Sequence, residues 1–175
     1  MLVHLGRRDG AFADRGGDAF DRAVADVADG EYAGHAGFQR ERGRGVAEAI
    51  DLYTRQSCLM VTAADLAVMG ATLADGGVNP LTGARVAQQA VCHYALAVMA
   101  TAGMYETSGD WLYDVGVPGN SGIGGGIVAV APGKGGLGTF APLLDDAGNS
   151  IKGQRVAKFL SQRLGLSLFT SNTDG

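Results

Sequence analysis

Residues 126–142 read GIVAVAPGKGGLGTFAP, and this stretch decides the fold class of the chain. It contains two short, largely apolar runs separated by the turn-forming segment PGKGG. Two such runs around a glycine-rich turn are typical of a β-hairpin. We therefore predict a hairpin within residues 123–143, with Ile123 near its start.

Helical periodicity flanks the hairpin on both sides. Upstream, residues 46–103 predict three helices. Thr62 is a favourable N-cap for the second of them, with Asp65 three residues on, and the third runs from about Val86 to Thr101 and ends at Gly103. Downstream, Ser150 is placed to cap a last helix. Helices, then a hairpin, then a helix predict an α+β domain, with a helical cluster packed on a partial antiparallel sheet.

Each of these helices has an apolar face that we expect to be buried. The expected inward side chains are Leu66, Met69 and Leu73 in the second helix, Val91, Ala95, Val98 and Met99 in the third, and Val156, Phe159, Leu160 and Leu164 in the last.

Composition narrows the class of protein. The chain has 175 residues, which is enough for one domain, and a formal net charge of -4, which argues against nucleic acid or an anionic membrane as partner. No stretch approaches the roughly 18 apolar residues of a membrane span, and the first residues do not resemble a signal peptide. Neither the two cysteines nor the three histidines show metal-ligand spacing. We expect a cytoplasmic protein without a bound metal.

The glycine-rich run SGIGGG, residues 121–126, allows more than one interpretation. A nucleotide-binding loop follows a strand and opens a helix, whereas this run leads into a predicted strand, which disfavours a nucleotide. The run brings its backbone close either to a packed helix or to a ligand, for which N–H groups serve as oxyanion donors.

Four stretches resemble the serine-dependent glutaminases, which share the fold of β-lactamases and penicillin-binding proteins. They are DLYTRQSCLMVTAADLAVMGATLADGGVNPLTG, VMATAGMYETSGDWLYDVGVP, SGIGGGIVAVAPGKGGLG and PLLDDAGNSIKG. The long DLAVMGATLADGGVNPLTG run favours glutaminases over the other classes with this fold. The resemblance implies hydrolysis of L-glutamine to L-glutamate and ammonia by a serine in an S-x-x-K motif, without a cofactor. It also implies a homo-oligomer.

The resemblance extends to individual site residues. Tyr53 in DLYTRQ resembles a tyrosine that contacts the glutamine, although its helical pattern alone would favour a core residue. Tyr105 in GMYETSG resembles a tyrosine next to the nucleophile, as a contact and possible proton carrier. Ile123 stands where the family usually has valine and would supply a backbone oxyanion donor. Glu31 resembles the family's substrate-site glutamate.

The chain also departs from the family. No S-x-x-K occurs within its 175 residues, and Asn120 stands where the family usually has lysine. We expect a poorly matching segment at 1–45, a C-terminal glutaminase-like portion at 46–168 and a tail at 169–175. The chain is then a truncated glutaminase or, alternatively, a catalytically inert fragment or paralog that acts only through an interaction surface. Loss of N-terminal strands would leave an edge of the hairpin exposed.

Overall fold

A computed structural model describes residues 2–6, 50–51, 54–55 and 58–170 of the chain. Of the first predicted helix, at residues 46–61, residues 50–51 and 54–55 are helical and residues 58–61 are not. Its other residues lie outside the described ones. The named elements, in chain order, are β1 (Leu2–Gly6), α1 (Ala63–Ala74), α2 (Gln89–Ala102), a 3-10 turn (Tyr105–Thr107), α3 (Ser108–Val115), β2 (Gly119–Ser121), β3 (Gly126–Ala131), β4 (Gly135–Phe140) and α4 (Ile151–Leu164).

The strands form one antiparallel sheet in the order β1-β4-β3-β2. The β3–β4 pair runs from Gly126 opposite Phe140 to Ala131 opposite Gly135. This is the hairpin predicted from the sequence, and the α+β class is confirmed with it. The SGIGGG run enters β3 and opens no helix.

Strand β1 corrects one expectation. We expected an exposed hairpin edge, but β1 pairs along the whole of β4, from Leu2 opposite Phe140 to Gly6 opposite Gly136. Because the pairing joins segments more than a hundred residues apart, no local pattern in the sequence indicates it. Among the described residues, the outer edges of the sheet are therefore β1 and the three-residue β2.

The helix ends follow local chemistry. The Thr62 hydroxyl accepts a hydrogen bond from Asp65 N, and the Asp65 carboxylate accepts one from Thr62 N, which completes a capping box at the start of α1. The Ser150 hydroxyl likewise accepts from Gly153 N at 3.1 Å and caps α4. Helix α2 begins at Gln89, later than predicted, because Val86 N donates to Gly77 O and holds the preceding residues in a loop.

Glycines let α1 lie directly on one face of the sheet. A Cβ on Gly136 would overlap the backbone of Ala67 and Ala71, and one on Gly138 would overlap Ala63 O. On the helix side, a Cβ on Gly70 would come within 3.1 Å of the Gly136 Cα atom. Backbone packs against backbone at this contact, and only glycine leaves room for it.

The opposite face of the sheet carries the main apolar core, formed with α3 and α4. Residues of β3 and β4 alternate between the two faces, as the two-residue period of a strand requires. The core side chains are Met104, Trp111, Val115, Val117, Ile127, Ala129, Ala131, Leu137, Ala157 and Leu166. Trp111 satisfies its indole N–H by donating to Val117 O at 2.7 Å.

Several expectations about the helix faces were wrong. Val91, Val98, Phe159 and Leu164 are exposed, whereas Met99 is buried as expected. The expected inward residues of α1 (Leu66, Met69, Leu73), together with Ala95, Val156 and Leu160, are half-buried. The side chains that the helices bury are mostly small, such as Ala63, Ala67 and Ala71 in α1 and Gly153, Ala157 and Ser161 in α4. A helix that lies so close to a sheet has room for only small side chains at the contact, so the larger ones point to its flanks.

The glycine contact predicts that Gly136→Ala destabilises the chain strongly. The new methyl would overlap helix backbone that cannot rotate away, so we expect a loss of about 3 kcal/mol or more in the free energy of unfolding. Gly109→Ala in α3 is the matched control, because a Cβ there has no neighbour within 4 Å. It should leave stability unchanged or raise it by up to about 1 kcal/mol. Urea denaturation followed by circular dichroism measures both, and equal effects would contradict the packing argument.

Candidate functional site

Tyr105 lies between α2 and α3 in an unusual backbone conformation. Its φ of 53° makes it the one non-glycine residue with positive φ among the described residues. The Ser108 hydroxyl holds this conformation by accepting from Met104 N at 3.1 Å and donating to Tyr105 O at 2.7 Å. A left-handed tyrosine is uncommon, and such strain concentrates at functional sites.

The conformation directs the Tyr105 side chain toward β2. Its hydroxyl donates to Ser121 O at 3.3 Å. The backbone reinforces the approach, because Ser121 N donates to Gly103 O at 2.9 Å. The end of α2 and the start of the SGIGGG run are thus held together, although they are far apart in sequence.

Ile123 occupies the corner of a tight turn between β2 and β3. Gly125 N donates to Gly122 O and Gly122 N to Gly126 O, so the N–H of Ile123 takes no part in closing the turn. The Ile123 side chain is 79% exposed. A backbone donor at such a corner is free to point at a ligand.

The turn before α4 brings Tyr105 and Ile123 to one place. A Cβ built on Gly148 would lie 3.7 Å from Tyr105 Cε2 and 3.8 Å from Ile123 Cγ2. Both side chains therefore lie within van der Waals reach of the same point, and the loop, the strand start and the turn form one face.

Ser121 is a polar residue of this face that sequence reasoning missed. It is 7% exposed, and its hydroxyl has no hydrogen-bond partner in the described part of the chain. Buried hydroxyls are normally paired, so this one is an exception. The neighbouring Asn120 is exposed on β2. The burial that singles out Ser121 is a property of the fold, and no spacing in the sequence indicates it.

Two expected site residues are not placed by the structure: Tyr53 and Glu31 lie outside the described residues. Where side chains are described, no group of three or more His, Cys, Asp or Glu is arranged to hold a metal ion.

A turn at residues 145–149, held by several hydrogen bonds, lies next to this face. The Asp145 carboxylate accepts from Asn149 N at 2.8 Å and from Gln154 Nε2 at 2.7 Å. Burial acts to raise the pKa of this carboxyl, but these bonds, together with those from the backbone N–H groups of Ala147 and Gly148, outweigh it and hold the pKa below its ordinary value of 3.8.

Comparison with known proteins identifies the family. The family model described as Glutaminase matches residues 37–169. This chain belongs to the glutaminase family.

Individual glutaminases agree with the assignment. The chain is 76% identical over 123 residues to "Glutaminase 2" of Yersinia pestis and 51% identical over 122 residues to "Glutaminase 1" of Escherichia coli O157:H7. A solved structure described as a probable glutaminase from Bacillus subtilis complexed with 6-diazo-5-oxo-L-norleucine is 34% identical, with a TM-score of 0.68 over 75% of this chain and 46% of that one. The fold is therefore that of the β-lactamase-like glutaminases.

The match covers only part of the length of the related glutaminases. The aligned regions cover 70% of this chain in both sequence comparisons, but only 36% of the Yersinia pestis protein and 39% of the Escherichia coli protein. The chain spans well under half the length of these glutaminases.

Within the described residues, none of the helices combines the length and apolarity needed to cross a membrane.

The Asp145 turn predicts that the chain loses stability in acid. A carboxyl whose pKa is lower in the folded state stabilises that state fully above its unfolded pKa, near 4, and this contribution is lost as pH falls through the folded pKa. Asp145→Asn should flatten the fall in melting temperature below about pH 4. Asp146→Asn, at the exposed neighbour, is the control and should keep the profile of the unmodified chain. A profile unchanged by Asp145→Asn would contradict the assignment.

Proposed function

We propose that this chain is the tyrosine-bearing, oxyanion-binding portion of a glutaminase that hydrolyses the side-chain amide of L-glutamine to L-glutamate and ammonia. The observation that carries the proposal is the gathering of Tyr105, Ser121 and Ile123 on one face in a chain of the glutaminase family. The S-x-x-K serine and lysine do not occur within these residues, so hydrolysis requires a segment that supplies them.

The proposed roles follow from the geometry on this face. The N–H of Ile123, outside the pairing of its turn, is one donor to the oxyanion that forms when a nucleophile attacks the amide carbon. The Tyr105 hydroxyl, held at Ser121 O, contacts the reacting centre and carries a proton. Tyr53 and Glu31 belong to the proposal through the family resemblance, as contacts to the rest of the glutamine.

The proposal also covers the domain, localisation, oligomeric state and cofactor requirement of the protein. Residues 46–168 form the glutaminase-like domain, and the protein is cytoplasmic. The family resemblance implies that it assembles as a homo-oligomer. No cofactor takes part in the reaction, because the serine, lysine and tyrosine supply nucleophile and proton transfer.

A second candidate function is an inert chain that acts through an interaction surface. Helix α2 favours it, since Val91, Tyr94 and Val98 are exposed on a helix without a charged residue. Exposed apolar patches mark interaction sites. The two candidates differ in whether hydrolysis appears when the missing segment is supplied.

The proposal predicts that the purified chain alone releases no ammonia from L-glutamine, because catalytic groups of this kind act as a unit and both the serine and the lysine of S-x-x-K are absent. Mixing it with the N-terminal part of the Yersinia pestis relative, up to the start of the matched region, should restore ammonia release. Tyr105→Phe should then lower the restored rate about 100-fold or more. Coupled glutamate dehydrogenase measures the rate.

Tyr113→Phe is the matched control, because this tyrosine is 91% exposed on α3 and should keep the restored rate. Two parts that co-elute without hydrolysing glutamine would favour the inert chain. Equal rates for the Tyr105 and Tyr113 variants would remove Tyr105 from the reaction.

A further inference from the structure

We propose that Asn149 is a positioning residue that holds Tyr105 in its left-handed conformation through Met104, one residue before it, and Thr107, two residues after it. The catalytic consequence rests on the proposed function, but the positioning itself is a property of this chain. Asn149 is fully buried in the turn before α4. It lies in the PLLDDAGNSIKG stretch, in which the sequence predicts no site residue.

The Asn149 side chain spans the Tyr105 segment. Its Nδ2 atom donates to Thr107 Oγ1 at 3.0 Å and to Met104 O at 3.4 Å. These partners lie 42 and 45 residues earlier in the chain and flank Tyr105 closely. One amide group thus fixes the backbone before the tyrosine and the side chain after it.

The chemistry of the partners fixes the orientation of the amide. Met104 O accepts only, and Thr107 Oγ1 already donates its proton to Met104 O at 2.8 Å. Toward Asn149 both atoms can therefore act only as acceptors, and the NH2 group is the half of the Asn149 side chain that donates. The Oδ1 atom has no hydrogen-bond partner among the described residues. The buried amide thus uses its nitrogen to hold the Tyr105 segment and leaves its oxygen unpaired, although an unpaired buried acceptor is costly.

Tyr105 needs such support because its backbone is strained. The left-handed conformation is unfavourable for a non-glycine residue because Cβ comes too close to the following carbonyl oxygen. Ser108 holds the segment from the α3 side, and the Asn149 turn holds it from the other. A Cβ built on Gly148 would lie 3.7 Å from Tyr105 Cε2, so the same turn also lies beside the tyrosine ring. Without the Asn149 donors we expect Tyr105 to relax and its hydroxyl to leave Ser121 O.

The alternative is that Asn149 only stabilises the fold. The chain offers a matched control in Asn79, a second fully buried asparagine that holds a loop by accepting from Leu81 N at 2.9 Å. Asn149→Ala and Asn79→Ala each remove buried hydrogen bonds, and both should lower the melting temperature. Only Asn149→Ala should move Tyr105.

The test is fluorine NMR on the full chain labelled with 3-fluorotyrosine. Five tyrosine resonances are expected, and Tyr105→Phe identifies the one from Tyr105. In Asn149→Ala this resonance should shift or broaden while the other four stay in place, and in Asn79→Ala all five should stay. Thr107→Val removes one acceptor of the amide at a partly exposed position, so it should move Tyr105 in the same direction and decides the question if Asn149→Ala does not fold.

An unmoved Tyr105 resonance in folded Asn149→Ala would overturn the proposal, and so would an equal shift in Asn79→Ala. If Asn149→Ala does not fold, an unmoved resonance in Thr107→Val would overturn it. Adding L-glutamine to the unmodified chain is a separate arm that addresses the proposed function, because a glutamine site at this face should shift the Tyr105 resonance. A missing glutamine response alongside a Tyr105 shift in Asn149→Ala would contradict glutamine binding and still support the positioning role.

Discussion

The close approach of α1 to β4 is the constraint on which the rest of the structure depends. Gly136 and Gly138 let helix backbone rest on strand backbone, and the hairpin is thereby fixed against the helix. The same strand carries Leu137 and Thr139 on its other face, toward α3 and α4. The position of α4 sets the turn before it, and that turn reaches Tyr105 and Ile123. The geometry of the candidate site therefore depends on a contact on the opposite face of the sheet.

Local chemistry made much of the fold predictable. The capping box at Thr62, the N-cap at Ser150, the stop at Gly103 and the turn in PGKGG each act within a few residues, so their effect is visible in sequence. Burial was not predictable in the same way. Val98 and Phe159 are apolar at helical spacing but exposed, because the face of a helix that turns inward depends on which other elements pack against it.

Sequence-based prediction of the site had the same limits as prediction of the fold. Tyr105 and Ile123 were predicted from family motifs, and the structure brings them together without any local signal that it would. Ser121 and Asn149 escaped prediction because their significance lies in burial and in partners 16 to 45 residues away. Strand β1 escaped it for the same reason, since its partner is β4, near the other end of the chain. Long-range contacts set these features, and a single sequence carries no pattern for them.

The left-handed tyrosine also bears on how the chain would change over evolutionary time. Glycine, and to a lesser degree asparagine, adopts this conformation at little cost. The Tyr105 side chain is partly exposed, so packing does not oppose its loss. A lineage that keeps the chain only for its stability gains by replacing Tyr105, whereas one that uses the hydroxyl keeps the strain. We therefore expect this position to drift early when selection on the site ends, which makes it a sensitive record of whether descendants of the chain still use the site.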